Sequence, residues 1–133
     1  MTELILPPDG EDLLRLALQV KLPEVLGRDV SCHTDVPAVR PAEFVVVRQV
    51  GGQRRNVATW VPTLVVESWN LRKSKAWQLT AAVDGLMYWF TEIAGYTVYD
   101  VEEYAGPAWL PDSLTDHARY TATYAVPIRA RAS

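Results

Sequence analysis

The side chains with chemistry to offer are few and scattered. Cys32 and His33 are the one adjacent cysteine–histidine pair, but neighbours on an extended chain point to opposite faces and make a poor nucleophile–base dyad. Cys32 reads as a small, partly buried residue. His33 and His117 are the only histidines, too few for a metal centre unless carboxylates join them; they read as surface or hydrogen-bonded rings. The densest acidic cluster is Asp100, Glu102 and Glu103. Asp100 and Glu102 are expected on one strand face, the arrangement a hydrolase uses for acid–base work. Nothing else nearby has catalytic character, so a solvated or partner-facing strand accounts for them better. Arg54 and Arg55 lie in a Gly-Gly-Gln-Arg-Arg-Asn run, a basic tip suited to phosphate or, more simply, to a partner's acidic groups. The sequence holds no Gly-rich phosphate loop, HExxH, GxSxG or paired CxxC. No residue is assigned to catalysis, to a cofactor or to a metal.

Aromatics are the other resource. Five tryptophans and six tyrosines among 133 residues are many, and aromatic residues and arginine dominate binding hot spots. Trp69, Trp77 and Trp89 are expected in the core. Trp60, beside Pro62, and Trp109, near Pro107 and Pro111, fall in segments harder to bury. Charge comes in blocks: the balance is −4 over residues 1–39, +5 over 40–75, −7 over 76–118 and +3 over 119–133. A short chain with blocked charge, aromatics outside the core and no catalytic constellation reads as an interaction or assembly protein.

The elements that must position these groups follow from periodicity. Asp9 is the expected N-cap of a first helix, with Glu11 and Asp12 in its first turn. Leu13, Leu14, Leu16, Ala17, Leu18 and Val20 form its apolar face, and Pro23 is expected to stop it near Lys21. A short strand is predicted within residues 29–34. The valine run at 44–50 predicts a strand covered on both faces. Gly51-Gly52 is expected to open a hairpin loop, the second arm running from Val57 to Trp69, with Pro62 forcing an edge or a bulge. Ala76, Leu79, Val83, Leu86, Met87 and Phe90 mark the buried stripe of a second helix, with Ser74 as cap and Gly95 as its end. Residues 97–104 alternate as a strand, 105–116 read as a loop, and 119–129 alternate again, with Pro127 making the far end an edge. The expected fold is α+β: a small, mostly antiparallel sheet of about four to five strands with two main helices on one side.

Length fits one domain spanning residues 1–133, with residues 1–8 as a lead-in and 130–133 as a flexible tail. An apolar content of 49% and a charged content of 22% are ordinary for a globular chain and argue against disorder. One cysteine excludes an intrachain disulfide. No signal peptide is visible at the N-terminus, no run approaches the ~20 apolar residues of a membrane span, and a reducing cytosolic origin fits. The net charge of −3 argues against a free-standing nucleic-acid binder.

The run PAEFVVVRQVGGQRRN, followed by PTLVVESW, a long helix, VYDVEEYAGPAWLPD and a closing RYTATYAV, resembles the tail terminator (tail completion) proteins of long-tailed, siphovirus-type phages, particularly those of actinobacteria. The likeness spans about residues 9–129; none of its pieces is a catalytic signature. It implies a non-enzymatic virion protein, assembled in the host cytoplasm and needing no cofactor. Such a protein forms a ring, usually a hexamer, on the head-proximal end of the tail tube. There it stops tube polymerisation and offers a docking surface to the head–tail connector or stopper. Genomic DNA passes through the lumen without sequence-specific binding, and no membrane is involved. A ring needs head-to-tail contacts between unlike surfaces. Arg48, Arg54 and Arg55 of one copy are therefore expected to meet Asp100, Glu102 and Glu103 of the next, with Trp60 and Trp109 adding affinity. Carboxylates around Asp100 compete for a second use, as an acidic lining that DNA does not adhere to. The alternatives are a head completion (stopper) protein at the head–tail joint, a small DNA-binding adaptor using Arg54, Arg55, Arg72, Lys73 and Lys75, and a small hydrolase.

Overall fold

Asp9 caps the first helix, its carboxylate accepting the Asp12 backbone N–H at 3.1 Å. From there the computed structural model, which describes residues 4–130, runs α1 (Gly10–Leu26), β1 (Ser31–His33), β2 (Glu43–Asn56), β3 (Thr59–Asn70), α2 (Lys73–Trp89), β4 (Glu92–Ile93), β5 (Tyr96–Val98), β6 (Glu102–Trp109), β7 (Ala118–Ala125) and β8 (Ile128–Arg129). Residues 1–3 of the expected lead-in, and 131–133 of the expected tail with Arg131, lie outside the described residues. The fold is α+β, as expected, with both helices on one face of the sheet. Among the described residues its strands number eight rather than four to five. The surplus comes mostly from two- and three-residue strands, which are too short to leave a period in the sequence.

Leu14, Leu18 and Leu22 recur at i, i+4 and i+8 and are fully buried against the sheet. Pro23 does not stop α1 near Lys21; the helix continues to Leu26. A proline this close to the end removes one backbone bond, and Leu26 packs on the core while Gly27, at φ +69°, closes the helix with its N–H on the Pro23 carbonyl. In α2 the expected stripe is buried. Ser74 lies inside the helix rather than capping it, and the helix ends at Trp89, not Gly95. Gly95, at φ +88°, instead turns between β4 and β5.

The sheet is mostly antiparallel, β1–β2 being its parallel pair. Its order runs β1–β2–β3–β8–β5–β4, with a second arm β3–β7–β6. The β2–β3 hairpin turns at Val57–Ala58, where the Asn56 side chain accepts the Ala58 N–H. The Gly51–Asn56 run is therefore strand, not loop. A hairpin arm projecting past the core needs no apolar side chains, so its polarity mimics a turn. Pro62 is not on an edge: β2 lies on one side, and on the other its carbonyl accepts the Val126 N–H where β7 gives way to β8. The irregularity appears in the partner strand, as a register shift between Gln49 and Gly51. A Cβ on Gly52 would meet the Pro62 Cα at 2.9 Å, and one on Gly10 the Pro62 Cγ at 2.8 Å, so both glycines make room for this proline. Pro127 likewise marks the β7–β8 break rather than an edge, since β8 pairs with both β3 and β5.

Two cores result. The larger lies between the sheet and both helices, and includes Val45, Val47, Leu64, Val66, Ala122 and Tyr124. The valine strand is covered on both sides at residues 44–47, because Phe44, Val46 and Trp69 form a second cluster with Val36 on the helix-free face, but not as far as residue 50 as expected: Gln49 and Val50 are exposed where the strand runs past the core. There Phe44 and Trp69 stack at 4.9 Å, and His117 meets both rings edge-on.

Candidate functional site

The strand expected at residues 97–104 is broken. Asp100 adopts φ +49° between β5 and β6, so Asp100 and Glu102 do not share a strand face. The loop expected at 105–116 is in its first half strand β6, with Gly106-Pro107 in a register irregularity between Ala105 and Ala108. β6 is an edge paired with β7, where a proline and a bulge are tolerated.

Glu103 does meet a second carboxylate, but one the sequence reading missed. Asp84, from α2, hydrogen-bonds Glu103; that bond, then burial and the Asp84 charge, raise the Glu103 carboxyl above its ordinary range. Tyr88 Oη donates to Glu103 at 3.2 Å and Tyr124 Oη to Asp84 at 2.7 Å. Burial, reinforced by the Asp84 bond, raises the Tyr124 hydroxyl strongly. Asp84 and Tyr88 stand four apart on one helix, the one local signal for this group. The nearby cleft of about 440 Å³ is lined by Met87, Phe90, Val98 and Tyr99 among others, with Asp100 as its carboxylate. The Asp84–Glu103 pair does not line it, so the two carboxylates do not flank a substrate-sized space there.

The expected basic residues separate. Arg48 lies on the helix-free face, its Nε 3.5 Å from the buried Glu67 carboxylate, which also accepts the Trp69 indole N–H at 3.2 Å. Arg54 stands across from Trp60 near the hairpin end and donates to the carbonyls of Val57 and Ile5. Arg55 is exposed, with no ion pair or hydrogen bond among the described residues. Trp60 is half-buried.

Of the tryptophans expected inside, Trp69 is buried but Trp77 and Trp89 are 49% and 60% exposed. A wide aromatic girth on α2 cannot all face one sheet. Trp77 and Trp109 instead flank Tyr120 edge-to-face at 5.5 and 5.3 Å, and Lys73 Nζ lies 4.4 Å over Trp109. With exposed Leu71 and Leu110 nearby in sequence, this makes an apolar–cationic patch at the end of the sheet. Trp89 borders a groove of about 360 Å³ between the helices, with Val25, Ala82 and Leu86, and Lys21 lies over its ring.

Cys32 and His33 point to opposite faces, as expected: Cys32 enters the main core, while His33 stands edge-on to Phe44. Burial pushes the Cys32 thiol up to about 12, the Arg15 charge offsetting only part of it. His117 is buried, with Nε2 2.7 Å from the Pro41 carbonyl, so that nitrogen is the donor. Among the described residues no group of three or more His, Cys, Asp or Glu is placed to hold a metal ion, and no helix is long and apolar enough to cross a membrane.

No family model and no curated protein matches the chain. Its fold is similar to that of a chain in the solved virion of a native gene transfer agent (GTA) particle, with a TM-score of 0.60 over 91% of this chain and 96% of that one. At 13% identity, the likeness is one of fold.

Proposed function

We propose that the chain is a structural virion protein of the phage type. It closes into a ring, a hexamer on the tail-terminator pattern, at the head-proximal end of a tail tube, halting polymerisation and receiving the connector. The observation that carries this reading is the fold likeness to a virion component along nearly the whole of both chains. The surfaces support it. The hairpin end of the β2 edge carries Arg54 and Arg55, the β6 edge opens with Glu102 and Glu103, and the aromatic patch of Trp77, Trp109 and Tyr120 lies toward the other end of β6 and β7. Unlike surfaces on one copy suit the head-to-tail contacts of a ring.

In this reading Arg54 and Arg55 face Glu102 and Glu103 of the neighbouring copy. Arg48 contributes less, because Glu67 already engages it. Trp109, with Trp77 and Tyr120, offers a hot-spot surface to the tube or the connector. Asp100, exposed at its turn, is the carboxylate best placed for a bore that DNA slides past.

The test is location. Gold-labelled antibody against this chain should mark the head–tail joint of assembled particles, one cluster per particle. Deletion of its gene should leave tubes of irregular length without heads. Label along the whole tube, or on the capsid shell, refutes the reading; label at the joint with tubes of normal length assigns the stopper role instead.

A further inference from the structure

We propose that neighbouring copies join by strand addition, the outer edge of β2 in one copy pairing with β6 of the next. The inference rests on the ring reading and adds how the ring is stitched. Among the described residues, β1 covers β2 only at Phe44–Val46, and Glu11 caps the Gln49 N–H beyond it. From Gly51 to Asn56 the strand pairs with β3 alone. At the far side of the same sheet β6 pairs with β7 alone. Both stretches are open edge, the kind of template on which another chain adds a strand.

Three features make these edges fit each other. The first is direction. β2, β3, β7 and β6 are joined by three antiparallel steps, so β2 and β6 run oppositely. Two copies in the same orientation, as successive members of a ring are, then bring β2 and β6 together antiparallel, and the alternation continues across the joint. The second is charge. The free stretch of β2 contains Arg54 and Arg55, and β6 opens with Glu102 and Glu103. Glu102 and Glu103 are consecutive ladder residues and face opposite sides, so each face of the joint receives one carboxylate. Glu103 lies on the α2 side with Tyr88, and Arg54 on the side of the N-terminal segment that leads into α1. Arg55 is the extra residue at the register shift between Arg54 and Asn56, exposed and without an ion pair of its own among the described residues, and the proposed joint sets it against Glu102 on the other face. The third is length. Register shifts keep both free stretches short: β6 pairs regularly at Glu102–Glu103 before its first shift, at Tyr104, and β2 at Gly51–Arg54 before its shift at Arg55. Pairing β2 with β6 joins unlike surfaces, so the contact propagates until rotation closes it.

Disulfide trapping tests this. The double variant Arg55→Cys, Glu102→Cys is oxidised at high concentration beside a control, Arg55→Cys, Gln78→Cys, whose second cysteine lies on exposed α2. The expected result is a covalent ladder extending past dimer up to the ring, with yield at least ~10-fold above the control; a single Glu102→Arg change in the wild-type background should weaken assembly ~10-fold and Arg55→Glu should restore it. A ladder no longer than the control overturns strand addition. If the unmodified protein nevertheless shows a closed ring by native mass spectrometry, only the joint is wrong and the ring reading stands. Failure of the antibody to mark the head–tail joint sinks the role, whatever the ladder shows.

Discussion

Replacing Trp69 by alanine should unfold the helix-free face first and cost about 3–5 kcal/mol. The indole is 1% exposed, and a tryptophan buries roughly 150–250 Å². At about 25 cal/mol per Å² the transfer contribution alone is ~4–6 kcal/mol, of which alanine recovers a small part. The stack on Phe44 at 4.9 Å adds about 0.5–1.5 kcal/mol. Loss of the indole N–H also leaves buried Glu67 with Arg48 at 3.5 Å as its remaining charged partner. His117 rests on the same ring and ties the 110–117 loop to Pro41, so the variant should release that loop. The assay is urea unfolding followed by far-UV circular dichroism, because four other tryptophans blur fluorescence. A Phe44→Leu, Trp69→Leu double-mutant cycle isolates the stack, and limited proteolysis within residues 110–116 reports the loop. Additivity within about 0.3 kcal/mol, a total cost below ~1.5 kcal/mol, or unchanged cleavage would refute a second core here.

Three further outcomes are expected. Cys32 should react with a thiol reagent only at the rate of global unfolding, because burial holds its pKa near 12; fast labelling of folded protein contradicts this. Burial alone would raise the Glu43 carboxyl, but hydrogen bonds from Arg28 and Asn70, with the Arg28 and Lys75 charges, outweigh it and hold the group below its ordinary 4.5. Its contribution is thus present above that value and fades as pH falls through the depressed one. Glu43→Gln should cost about 1–2 kcal/mol at neutral pH, discounted for the partly exposed Arg28, and should flatten the acid limb of the stability curve. Glu103 has the opposite sign. Its raised pKa, caused first by the Asp84 bond, gives stability that is complete below the ordinary carboxylate range and lost as pH rises through the raised value. Asp84→Asn keeps an acceptor for Tyr124 and should lower the Glu103 titration seen by NMR; an unmoved titration contradicts the pairing.

The helices and the central strands were legible because burial imposes a period. Leu14, Leu18 and Leu22, the α2 stripe, and Ala122 and Tyr124 all face one core. Proline and glycine misled where tertiary context tolerates them. Pro23 sits within a last turn, Pro62 is accommodated by Gly10 and Gly52, and Gly106-Pro107 lies on an edge. Composition could not distinguish an aromatic that fills the core from one that widens a helix, so Trp77 and Trp89 were misjudged. The acidic cluster was visible, but its geometry was not: Asp100 sits at a positive-φ turn, and the partner of Glu103 arrives from α2, 19 positions earlier in the chain. Only folding brings such groups together, and no local pattern encodes it.

Tube length is the most direct measure of the proposed role. Purified chain added to polymerising tail-tube subunits should arrest elongation at one end, giving short capped tubes whose mean length falls as the added protein rises. Tubes that grow to the same length with and without it, with no annulus at either end in electron micrographs, would contradict the account.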